Sequence, residues 1–86
     1  MTYNAFLEDS YRALRASAPL LAAGPAWDGW LKQIGELLVG LPPETQTYWV
    51  DQYATLLVVK YGGIVPAAAF GCVQRALAQA RVAVGH

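Results

Sequence analysis

Residues 25–39, PAWDGWLKQIGELLV, decide the fold of this chain. At 100° per residue, the large apolar side chains from Trp27 to Leu41 fall within an arc of about 120°. The opposite side carries a ladder of alternating charge, which is typical of a solvated face: Asp28, Lys32 and Glu36. Proline fits the first turn of a helix and glycine its end, as Pro25 and Gly40 do here. The pattern predicts an amphipathic second helix from about Pro25 to Val39.

Proline and glycine clusters on both sides of this helix divide the rest of the chain. The clusters lie at residues 19–25, 40–43 and 62–66. Apolar residues at helical spacing between them predict three more helices, from about Asn4 to Ala18, Pro43 to Tyr61 and Pro66 to Val84. The sequence therefore predicts an all-α fold class: a compact bundle of four short helices, forming a single domain over residues 1–86. Exchange of helices between two chains is the main structural alternative.

Each of these helices has an apolar stripe that we expect to face the core. The first helix offers Tyr3, Leu7, Tyr11, Leu14 and Ala18, with Thr2 or Asn4 as its cap and a Glu8–Arg12 pair on its outer face. The third helix offers Trp49, Tyr53, Leu56 and Leu57, widened by Val50, Ala54, Val58 and Tyr61. The fourth offers Ala69, Phe70, Val73, Ala76, Leu77, Ala80 and Val84. Its small residues let another backbone approach closely, and Gly62–Gly63 predicts that it packs antiparallel to the third helix.

Composition points to an uncovered apolar surface. The chain is 56% hydrophobic and only 14% charged, whereas soluble chains carry about 25% charged residues. A small domain has much surface for its volume, so apolar side chains are expected on the outside, as they are at partner or self-association surfaces. The alternative is that a small, aromatic-rich domain tolerates such a surface without using it.

The charges are unevenly spread along the chain. Residues 1–51 hold six acids and three bases, and residues 52–86 hold three bases and no acid. The simplest interpretation is that the two halves attract each other within the fold. Three bases are far fewer than phosphate binding requires, so nucleic acid is the weaker alternative partner. Its candidate surface lies on the fourth helix: Gln74, Arg75, Gln79 and Arg81.

Residues that could carry catalysis are scarce. The single histidine, His86, is the last residue, and the single cysteine, Cys72, lies in an apolar stretch where we expect it to be buried. The sequence therefore offers no catalytic pair, no metal-ligand cluster and no cofactor motif, and we expect no enzyme, no metal and no cofactor. A free thiol and the absence of a signal-peptide pattern predict a cytoplasmic protein. No uncharged stretch is long enough to span a membrane.

One row of side chains is the candidate protein-binding site. Tyr48, Gln52, Thr55 and Val59 recur on the third helix, away from the stripe of Trp49. The row is uncharged and headed by a tyrosine, a character that docking surfaces share. Alternatively, the third helix is central and this row contacts a neighbouring helix. The three tryptophans are expected in the core, although tryptophan is also enriched at binding hot spots.

These observations predict a non-enzymatic protein–protein interaction module. An adaptor, a small accessory subunit, or a stoichiometric inhibitor of a larger protein, from a phage or another mobile element, would have this character. The partner is another protein or a second copy of the chain. Three alternatives remain: a nucleic-acid-binding regulator, a peripheral membrane protein, and an enzyme whose site is shared between subunits.

Overall fold

Four helices account for most of the chain in the computed structural model, which describes residues 2–85, and their side chains from residue 5 onward. The helices are α1 (Thr2–Ala16), α2 (Pro25–Leu38), α3 (Pro43–Lys60) and α4 (Pro66–Val84). Between residues 2 and 85 there is no strand. The predicted all-α class and the compact bundle of four short helices are confirmed. The predicted roles of Thr2, Tyr3 and Asn4, and the side chain of His86, lie outside the described side chains.

Proline sets the boundaries of the helices. It occupies the first turn of α2, α3 and α4, where its missing N–H group breaks no helical hydrogen bond. α1 ends at Ala16, two residues earlier than predicted, because Pro19 disfavours the helical conformation for the residue before it. The chain enters α2 through Gly24, whose φ of 91° is a left-handed conformation that suits glycine.

The tightest contact of the bundle joins α2 to α4. Gly35 is buried on the inner side of α2 and lies directly against the backbone of α4. A Cβ atom at this position would lie 2.8 Å from the carbonyl carbon of Ala76 and 3.3 Å from the amide nitrogen of Leu77. The small residues of α4 therefore let the backbone of α2 approach closely, as predicted. Gly35, the residue of α2 that makes this approach possible, was not identified from the sequence.

Next to this contact, α4 also packs against α3. Helix α1 is held against the other helices by large side chains. Arg81 Nη2 near the end of α4 donates to Oε1 of Gln46 near the start of α3, at 2.7 Å, so the two helices run antiparallel as predicted. Gln46 Nε2 also donates to the Leu38 carbonyl at the end of α2. Trp30 Nε1 donates to the carbonyl of Leu14 at 2.8 Å. This buried hydrogen bond ties the end of α1 to α2.

Most residues of the predicted stripes form the core. The buried apolar residues are Leu7, Leu14, Trp27, Trp30, Ile34, Leu38, Val50, Tyr53, Ala54, Leu56, Leu57, Ala69, Val73, Ala76, Leu77 and Ala80. Trp49 is half-buried, and its ring centroid lies 5.6 Å from that of Tyr11 on α1. The radius of gyration, 12.3 Å, matches the value of about 12 Å expected for a compact chain of this length.

Two predicted core positions on α4 are wrong. Phe70 is 42% exposed, because it lies at the edge of the stripe, one residue beyond the buried Ala69. Val84 is also exposed, as is every described residue from 81 to 85. The last turn of α4 therefore stands clear of the core. Cys72 was expected to be buried, but it is half-buried at the margin of the core.

The predicted charge interactions also differ. Arg12 pairs with Asp9 at 3.2 Å rather than with Glu8, since both spacings place a carboxylate within reach on a helix. No ion pair joins residues 1–51 to residues 52–86 among the described side chains. Arg81 bonds instead to a neutral amide. The described side chains therefore show no direct ion pairing between the two halves of the chain.

Candidate protein-interaction surface

The four predicted binding residues form a row on the outer side of α3, which we call the α3 ridge: Tyr48, Gln52, Thr55 and Val59. Tyr48 is 57% exposed and Val59 is 78% exposed. Thr55 is exposed and Gln52 is half-buried. The Thr55 hydroxyl donates to the carbonyl of Asp51 one turn earlier, so its polar group is satisfied within the helix. The ridge is therefore open to solvent over most of its length.

On one side, the α3 ridge borders a polar groove against α1. Its lining includes Glu8, Tyr11, Arg12, Arg15 and Trp49. The ring of Tyr48 lies edge-on to that of Trp49, with centroids 5.3 Å apart. The half-buried tryptophan thus supports the exposed tyrosine, so the head of the ridge rests on a rigid base.

On the other side, the ridge borders an apolar groove of about 500 Å³ between α3 and α4. We call it the α3–α4 groove, and its lining residues are Asp51, Ala54, Thr55, Val58, Pro66, Ala67 and Phe70. Thr55 belongs both to the ridge and to the groove. Asp51 is the one charged residue of the lining, and its carboxylate has no ion-pair partner among the described side chains. The groove offers an apolar surface with a single negative charge at one end.

Sequence reasoning missed this groove because it assigned Phe70 to the core. The signal that could have revealed it is the size of the residues around that ring. Ala54 on α3 and Ala67 on α4 are both small, and two alanines facing each other across an antiparallel pair leave a gap that a neighbouring phenylalanine does not fill.

Two uncharged segments meet at one end of the bundle. Residues 16–27 and 61–74 contain no charged side chain. The Tyr61 hydroxyl donates to the Pro19 carbonyl, and the ring of Tyr61 meets that of Trp27 edge-on, with centroids 5.1 Å apart. Burial raises the pKa of Tyr61, which keeps the hydroxyl protonated for this bond. At this end Leu20 is 94% exposed and Leu21 is 73% exposed.

Core packing explains two of the three tryptophans. Trp27 and Trp30 are buried and stack on each other with ring centroids 5.6 Å apart. Both belong to the hydrophobic core. Trp49 is the exception, since it contacts both the core and the exposed Tyr48.

The alternative nucleic-acid surface on α4 is divided. All four of its residues are exposed: Gln74, Arg75, Gln79 and Arg81. Arg75 and Gln79 line a groove against α2 that also contains Asp28 and Lys32. Arg81 turns the other way, towards Gln46 on α3. The two arginines therefore do not share one basic face, and nucleic-acid binding stays an untested prediction.

Within the described residues, no group of three or more His, Cys, Asp or Glu side chains could hold a metal ion. No helix in the same part of the chain has the length and apolar character needed to cross a membrane. One buried polar atom, the Tyr53 hydroxyl, has no hydrogen-bond partner among the described residues. It is enclosed by the core, and burial together with the nearby Tyr11 raises its pKa.

Comparison of the chain with known protein families, with curated proteins and with solved structures finds no match. Any conclusion about function must therefore come from the surface itself.

Proposed function

We propose that this chain is a non-enzymatic interaction module that binds another protein through the α3 ridge and the α3–α4 groove. An adaptor, a small accessory subunit or a stoichiometric inhibitor of a larger protein would work in this way. The single observation that carries the proposal is the open apolar groove beside the ridge, in a chain with so few charges.

Energetically, this surface is suited to a partner. Covering a large apolar side chain contributes about 1.5–3 kcal/mol, and Phe70 and Val59 are both substantially exposed. Tyr48 adds a rigid aromatic ring of the kind enriched at hot spots. Asp51 would select a partner with a basic side chain beside its apolar ones, because a charge left unpaired in a closed interface is costly.

The first test removes the two ends of the α3 ridge. A tagged chain with Tyr48→Ala and Val59→Ala is expressed in the native host, and co-purified proteins are quantified by mass spectrometry. We expect the recovery of a stoichiometric partner to fall about tenfold or more, since two hot-spot contacts are worth about 1.4 kcal/mol or more together. Thermal unfolding should be nearly unchanged, because both side chains are exposed.

The matched control is Val82→Ala, which truncates another exposed valine outside the ridge and both of its grooves. It should retain the partner in full. A partner that both variants retain equally would refute the α3 ridge as the binding surface.

A further inference from the structure

We infer that the α3–α4 groove receives the Leu20–Leu21 loop of a second copy of this chain. The inference rests on the proposed function, because it takes the groove to be a protein-docking surface and names the protein that docks there. Three features of the molecule carry it: the form of the loop, the size of the groove and the charges near each.

The loop between α1 and α2 presents two leucines to solvent. Leu20 and Leu21 are the most exposed and third most exposed of the large apolar side chains in the described part of the chain. The loop is held at both ends. The Pro19 carbonyl accepts a hydrogen bond from Tyr61, and Gly24 turns the chain into α2. A loop anchored at both ends loses less conformational entropy on docking than a free segment of the same length, which favours binding.

The groove has room for these side chains. Along α3 it extends from Asp51 to Val58, seven residues or about 10 Å. Its volume of about 500 Å³ is within the range of sites that enclose small apolar ligands. Its walls are apolar apart from Asp51 and the Thr55 hydroxyl, and that hydroxyl is already bonded to its own helix. Two adjacent leucines therefore meet a surface of matching character.

The charges are complementary. The groove carries one carboxylate, Asp51, which has no ion-pair partner among the described side chains. Between Ser10 and Trp27 the charged residues are Arg12 and Arg15, with no acid among them. Arg12 pairs with Asp9, whereas Arg15 is exposed five residues before Leu20. The segment that brings the leucines thus also brings a cation, Arg15, that can pair with Asp51, and the nearest acid along the polar groove of α1 is Glu8.

Loop and groove also lie towards the same end of the bundle. Tyr61 joins the loop to the start of the α3–α4 turn, and Pro66, which lines the groove, follows that turn. Two copies can therefore exchange loops about a two-fold axis, each filling the groove of the other. Closed two-fold pairing of this kind is the commonest arrangement of homo-oligomers.

The test is the concentration dependence of the mass in solution, measured by sedimentation velocity. We expect the unaltered chain to dimerise. The double variant Leu20→Ser/Leu21→Ser and the groove variant Ala67→Arg should each weaken dimerisation about tenfold or more, while Val82→Ser, outside both regions, should leave it unchanged. All four substituted side chains are exposed, so folding is not at stake. An unaltered chain that stays monomeric, or a dimer indifferent to the loop and groove variants, would overturn the inference.

Charge exchange tests the pairing directly. Asp51→Arg should weaken the dimer, and Arg15→Asp added to the same chain should restore part of the loss. As a second readout, Leu21→Cys and Ala67→Cys, combined with Cys72→Ala, should give a disulfide-linked dimer under mild oxidation. Absence of the linked dimer together with no restoration would count against the docked loop.

These outcomes separate the inference from the proposed function. A chain that is monomeric but loses a different partner on Tyr48→Ala/Val59→Ala overturns the loop-in-groove dimer and leaves the interaction module in place.

Discussion

The two faces of α4 show opposite ways in which helices meet. Towards α2, Gly35 brings the two backbones into direct contact at Ala76. Towards α3, the same helix leaves an open groove of about 500 Å³ beside Phe70. Small residues on α4 serve both faces, so the difference arises from the opposing helix. Where that helix supplies a buried glycine, the two backbones meet, and where it supplies the small Ala54 opposite Ala67, an open groove remains beside Phe70.

This contrast explains how so apolar a chain can be compact and still expose large apolar side chains. At the α2–α4 contact, Gly35 lets the two backbones meet directly, so no large side chain lies between the helices at that point. Several large apolar residues are left outside on the α3 ridge, in the groove and on the α1–α2 loop, and Phe6, Val65, Val82 and Val84 are exposed elsewhere. Under the proposed function, stability and binding belong to different faces, and substitutions can separate them.

The largest expected effect comes from closing the gap at Gly35. In Gly35→Ala the new methyl group meets the Ala76 carbonyl, a backbone group that cannot move without shifting α4. We expect the free energy of unfolding to fall by about 3 kcal/mol, at the upper end of overpacking costs. Urea denaturation followed by circular dichroism measures it.

A matched control exists six residues away. Gly29 lies on the same helix with open space around its Cβ position, so Gly29→Ala should stabilise the chain by about 0.5–1 kcal/mol through helix propensity alone. Equal effects of the two substitutions would show that the close backbone contact does not exist.

Sequence patterns predicted the helices well and the gap between them poorly. Apolar periodicity and the prolines located all four helices because those signals are local. Whether Phe70 faces inward depends on the size of residues across the interface, which no local pattern contains. Gly35 was missed for the same reason, because its role depends on the α4 backbone that packs against it and not on the residues next to it in the sequence.

The candidate site was predictable in part. The α3 ridge could be found because Tyr48 and Val59 fall off the apolar stripe of their own helix. The end of the bundle where two uncharged segments meet could not be predicted. These segments, residues 16–27 and 61–74, are far apart in the sequence, and the hydrogen bond from the Tyr61 hydroxyl to the Pro19 carbonyl joins them only in the folded chain.

A loss of stability of intermediate size is expected at the contact between α1 and α2. Trp30→Phe removes the buried hydrogen bond to the Leu14 carbonyl and leaves a small void, which together should cost about 2 kcal/mol. Urea denaturation measures the loss. Trp49→Phe is the comparison, because it shortens a ring that is only half-buried and whose indole N–H makes no hydrogen bond with the described residues. A Trp49→Phe loss as large as that of Trp30→Phe would contradict the role of the hydrogen bond.

The smallest effect at neutral pH, and the most specific one, belongs to Tyr53. Its buried hydroxyl has no partner among the described residues, so Tyr53→Phe should leave the free energy of unfolding unchanged or raise it by up to about 1 kcal/mol. Burial raises the pKa of Tyr53 above its ordinary value of 10.0. Above about pH 10 the unfolded chain therefore releases a proton that the folded chain retains, and stability falls as pH rises.

Tyr53→Phe should flatten this alkaline decline without abolishing it, because the pKa of Tyr61 is raised as well. Urea midpoints measured from neutral pH to about pH 11 give both slopes. If Tyr53→Phe left the alkaline decline as steep as in the unaltered chain, the Tyr53 hydroxyl would not be the group that folding desolvates, and the division between the buried and the exposed face of α3 would fail.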